Sequence, residues 1–95
     1  MPSYRVTLRI DHVLPGHTPP DVLNAACAAV RAITELEHSD VVVSHGEARI
    51  VVRFVAVDDV DARSVGRAVE SAVLEVATAG ALALLRRSRG TWTPL

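Results

Sequence analysis

The run ARIVVRFVAV, Ala48 to Val57, is the longest strand signal in the chain, and it limits what the rest can be. Its even positions, Ala48, Ile50, Val52, Phe54 and Ala56, are all apolar, whereas its odd positions mix Arg49 and Arg53 with Val51, Val55 and Val57. Period-two alternation with one clean apolar face describes a central strand, covered by helices on one side and open on the other. A chain of 95 residues holds one domain, residues 1–95. The covering helices and neighbouring strands must therefore come from the same short sequence.

Ser3 to Ile10 alternates in the same way, with Tyr4, Val6, Leu8 and Ile10 on one face and Arg5, Thr7 and Arg9 on the other, and forms strand one. Asp11 to Thr18 contains Pro15 and Gly16 and reads as a loop. Thr18 caps a helix whose first turn accommodates Pro19 and Pro20 and places Asp21 as a capping-box carboxylate. Val22, Ala26, Ala29 or Val30, and Ile33 then recur at helical spacing to about Glu37. His38 to Ser44 forms strand two, and Ser44-His45-Gly46-Glu47 is a tight hairpin turn into strand three, Ala48 to Val57. Asp58, Asp59 and Asp61 supply N-caps for a second helix with a stripe of Val65, Val69, Val73 and Val76, and Gly80 is its expected stop. Ala81 to Arg87 consists of helix formers, so it either extends the second helix or makes a fourth strand from about Leu82 to Arg89. The strand is expected, because strand one would otherwise leave a long unpaired edge.

The element order β-α-β-β-α-β predicts an α+β ferredoxin-like sandwich. Its four-stranded antiparallel sheet has the order 4-1-3-2 with both helices on one face. The tail Arg86 to Leu95 is expected to be partly mobile.

Composition removes several classes of function. The net charge of −1 excludes a globally basic nucleic-acid binder, although all ten basic side chains are arginine. The single cysteine, Cys27, excludes an internal disulfide and a multi-cysteine metal site. Without a span-length apolar run or an apolar N-terminal segment, the expected location is the cytoplasm. With 49% hydrophobic residues and only one Tyr, one Phe and one Trp, the core is aliphatic.

Three clusters are candidates for a site. Arg5, Arg9, Arg49 and Arg53 project from adjacent central strands onto the open face, where an anion or acidic neighbours must offset them. Asp40, Glu47 and Asp11 are the acids within reach. A rim cluster of Asp11, His12, His17 and His45 suggests metal or acid–base chemistry, but no HxH or HxxxH pair fixes two ligands on one element. Val51, Val55 and Val57 among the arginines, and Trp92 in the tail, suggest an interface. The open face occupies the position of the RNA platform of RRM domains, yet its outward residues are Arg, Thr and Val instead of stacking aromatics. Acylphosphatases resemble the predicted element order, but the loop after strand one has no Arg and the only Asn is Asn24 in the first helix. The resulting expectation is a non-catalytic, cofactor-free module that forms a homodimer and binds a protein partner or small ligand. The alternatives are a binder of a small anion or of nucleic acid on the arginine face, and an enzyme built on the rim cluster.

Overall fold

Strand one outlasts its alternation. In the computed structural model, which describes all residues Met1–Leu95, β1 spans Ser3–Val13. It is followed by α1 (Pro19–Arg31), β2 (Leu36–Ser44), β3 (Glu47–Val55), α2 (Asp59–Leu74), β4 (Ala77–Ser88) and β5 (Thr91–Pro94). The strands form one antiparallel sheet in the order β2-β3-β1-β4-β5. The protein is thus an α+β fold with two helices and five strands. The expected four-stranded sheet is corrected by β5, which extends the neighbour order 4-1-3-2 at the β4 edge.

β5 forms from the tail expected to be mobile. Arg89 and Gly90 both adopt positive φ, at 53° and 79°, the pattern of a two-residue hairpin turn. Ser88 then pairs with Thr91 and Leu85 with Pro94. His45 and Gly46 make the same turn between β2 and β3, at 53° and 77°.

Both helices are shorter than their apolar periodicity suggests. α1 ends at Arg31, and the β-branched Ile33 and Thr34 turn out of it, with Thr34 Oγ1 donating to the Val55 carbonyl at 2.8 Å. Ile33 is consequently exposed, and β2 begins at Leu36, two residues before His38. α2 stops at Leu74, and Gly80 lies inside β4. Val76 falls just beyond the helix, where its carbonyl accepts from the Leu14 N–H at 2.9 Å. The helix starts follow the capping chemistry. Asp21 accepts from the Thr18 N–H at 2.8 Å, and Asp58 accepts from the Asp61 N–H at 2.9 Å.

The core lies between the sheet and both helices. Tyr4, Val6 and Leu8 of β1 and Ile50, Val52 and Phe54 of β3 pack against Val22, Ala26, Cys27 and Val30 of α1 and Ala62, Val65, Val69 and Val73 of α2. Cys27 is one of these small core side chains. No helix is long and apolar enough to cross a membrane.

Gly66, buried in α2, faces Val6 and Leu82; a Cβ added there would meet them at 3.7 and 3.8 Å, ordinary contact distances. The site accepts a methyl group, and alanine loses less backbone entropy than glycine on forming a helix. Gly66→Ala is therefore expected to stabilise the fold by about 0.5–1 kcal/mol. Urea denaturation checks this, with an unchanged or lower midpoint as the contrary result.

Candidate functional site

The four arginines come together on the open face as the alternation requires. In the β1–β3 register Arg5 lies directly opposite Arg53, and Arg9 directly opposite Arg49. Like charges in these positions repel, and side chains of the chain itself offset them. Asp11 holds Arg9 at 3.1 Å, Glu47 holds Arg49 at 3.0 Å, and Glu37 holds Arg53 at 3.2 Å. Asp40, in register with Val51, instead accepts from the Val41 N–H at 2.8 Å. Glu37 serves because a register shift between Leu36 and His38 bulges β2 at that point.

Arg5 has no acid. Its guanidinium carbon lies 4.6 Å from the centre of the Trp92 ring, and that of Arg53 lies 5.7 Å from it. Trp92 therefore folds back across β4 and covers its own sheet, held by two cation–π contacts. Val51 and Val55 lie half-buried on this face. Val57 does not join them: β3 ends at Val55, and Val57 is 65% exposed in the loop before α2.

The rim residues are only partly assembled. Asp11 and His12 share a shallow depression with Glu47 and Thr78, and the His12 N–H donates to Thr78 Oγ1 at 3.1 Å. His17 sits on the loop before α1, 3.7 Å from Asp21, and His45 occupies the hairpin turn. No group of three or more His, Cys, Asp or Glu side chains is arranged to hold a metal ion.

Two further features were not apparent from periodicity. The first is a lock at the opposite end of β1. The buried Tyr4 hydroxyl donates to Asp59 Oδ1 at 2.7 Å, and Arg86 Nη1 reaches the same oxygen at 3.2 Å. Burial, reinforced by this hydrogen bond to a carboxylate, pushes the Tyr4 phenol from its usual 10.0 up to about 12. The same hydrogen bond, followed by the Arg86 charge, holds the Asp59 carboxyl below its usual 3.8. A phenol made harder to ionise is the opposite of an activated base, so the trio acts as a clamp joining β1, β4 and the start of α2.

The second feature is an apolar cleft of about 570 Å³ under the first turn of α1. Ile10 and Val13 of β1, Ala48 and Ile50 of β3, Val41 of β2 and Leu23 of α1 line it. Pro19 and Pro20 form part of its wall, and Asp11 and Asn24 are its polar groups. Alternation and helical spacing place Ile10, Val22, Val41, Ala48 and Ile50 on strands or on the helix stripe, and Val13 in the loop after strand one. The available signal was Ala48, a small side chain in a row otherwise filled by Ile50, Val52 and Phe54.

No protein-family model, curated protein or solved structure matches the chain.

The clamp has a signed pH dependence. Between the usual tyrosine value and about 12 the unfolded chain loses the phenolic proton while the folded chain keeps it, so Tyr4 contributes stability below 10.0 that is lost as pH rises through 12. Asp59 contributes stability above its usual 3.8 that is lost as pH falls through its lower folded value. Tyr4→Phe is expected to flatten the alkaline slope of stability against pH and weaken the acidic one. Thermal melts across both ranges test this, and unchanged slopes would remove the clamp.

Proposed function

We propose that the protein is a non-catalytic module that self-associates and takes a small apolar ligand in the cleft beneath α1. Its architecture is read as a ferredoxin-like βαββαβ core extended by β5. The cleft carries the reading. Its volume of about 570 Å³ lies within the size range of small-molecule sites, and seven of its eleven lining residues are hydrophobic. No Arg or His lines it, so an anionic head group would find no partner there. Asp11 offers a carboxylate acceptor and Asn24 an amide. This combination suits a neutral aliphatic or aromatic molecule with one hydrogen-bond donor. Anion binding by Arg5, Arg9, Arg49 and Arg53 is the weaker reading, because acids of the chain already hold three of those four.

The test is a fluorescence titration with N-phenyl-1-naphthylamine, a neutral apolar probe. The wild type is expected to bind it saturably. Ala48→Phe fills the cleft from a half-buried strand position, and is expected to raise the dissociation constant at least about tenfold, equivalent to 1.4 kcal/mol, without lowering the melting temperature. Equal affinity for both proteins, or no saturable binding by the wild type, would reject the cleft.

A further inference from the structure

β2 is bonded to β3 on one side only, and its other edge is free. Its protection is confined to its first half, where a bulge lies at Glu37 and the Asp40 carboxylate accepts from the Val41 N–H at 2.8 Å. Val41, Val42 and Val43 are 46%, 45% and 70% exposed, whereas exposed strand edges are usually blunted with charge, proline or bulges. We infer that β2 pairs antiparallel with β2 of a second copy of this chain, with Val42 on the two-fold axis. This rests on the self-association half of the proposed function and does not require the cleft to hold a ligand, although Val41 belongs to both surfaces.

The register follows from the hairpin. A two-residue turn at His45 and Gly46 makes Ser44 and Glu47 a hydrogen-bonded pair. Alternation then makes Val42–Arg49 and Asp40–Val51 the other hydrogen-bonded pairs. The backbone groups of Ser39, Val41 and Val43 are left pointing at the free edge, where the Val41 N–H is held by the exposed Asp40 carboxylate, which swings aside when a second strand bonds there. A second β2 meets these groups only if its odd-numbered residues align with odd-numbered ones, so the axis passes through a residue. The bulge at Glu37 confines regular pairing to the Ser39–Ser44 stretch.

Four centres are available there. An axis at Asp40 brings two carboxylates face to face, at an electrostatic cost. One at Val41 sets Asp40 against Val42 of the second copy. One at Val43 sets Val41 against the His45 turn. Only Val42 matches every valine with a valine: Val41 faces Val43 of the second copy, Val42 faces its own equivalent, and Asp40 faces Ser44. Val42 then occupies a non-hydrogen-bonded position, where opposed side chains approach most closely.

The assembly closes at two copies. The opposite edge, β5, is four residues long and includes Pro94, which has no N–H to offer another strand. An isologous pairing through β2 alone therefore yields a dimer instead of a fibre. The five paired residues of each strand, Asp40 to Ser44, make a small interface, so the dimer is concentration-dependent.

The experiment is light scattering after size exclusion across a concentration series, combined with cysteine crosslinking. Wild type is expected to shift from monomer to dimer with concentration. Val42→Cys is expected to form a disulfide dimer on mild oxidation, since its equivalent lies directly opposite, while Val43→Cys does not, and buried Cys27 stays silent. Val42→Asp and Val42→Lys each raise the dissociation constant about tenfold or more, and mixing them restores dimer. Val42 is on the open face and outside the core, so melting temperatures serve to confirm that the variants fold. A strict monomer overturns this pairing and self-association together. A dimer that crosslinks equally through residue 43, or ignores the charge at residue 42, overturns this pairing alone.

Discussion

β1 has two rows of backbone hydrogen-bonding groups, and most of the fold follows from satisfying both. β3 takes one row from Ser3 to Ile10, and β4 takes the other from Tyr4 to Val13. Unpaired donors and acceptors at the centre of a sheet cost more than the helix propensity of a few alanines can repay. The segment ATAGALALL therefore becomes strand, although its composition favours a helix. The same pairing draws Val76 out of α2 and bends β4 through two irregularities on its way past Leu8, Ile10 and His12.

The pairing of β1 with β3 creates an electrostatic problem, because it sets arginine against arginine twice. Acids from three elements solve it locally, through Asp11 on β1, Glu47 on β3 and Glu37 on β2. Exposed pairs of this kind add little net stability, and their main effect is to remove a repulsion. The remaining guanidinium, Arg5, is covered by Trp92. This contact gives the C-terminal segment a reason to return along β4. The indole covers apolar and cationic surface together, and β5 supplies the backbone bonds that hold it there.

The two sides of the sheet are consequently unequal. The β4–β5 side is closed by a short strand, by Trp92 and by the clamp of Tyr4, Asp59 and Arg86. The β2 side is left with exposed valines and with the cleft, which share Val41. α1 begins with two prolines over Ala48, and neither the helix start nor the small side chain fills the space between them. The proposed pairing and the proposed ligand cleft therefore both lie on the side where packing is incomplete.

Alternation and capping are local properties, and they were legible in the chain. The buried faces of β1 and β3, the Val65, Val69 and Val73 stripe, the His45-Gly46 turn and the caps at Asp21 and Asp58 all follow from residue type and spacing. Residue spacing also placed the four arginines on one face. The ends of both helices, the start of β4 and the existence of β5 were decided by tertiary structure, because each depends on which distant backbone or side chain needs a partner. The neutralising acid of Arg53 shows the same limit: a bulge that only strand pairing produces turns Glu37 toward the face and leaves Asp40 to its own neighbour. The cleft was hidden for a related reason. An apolar residue reads as core from its pattern alone, and only the packing of α1 against the sheet determines whether its volume is filled.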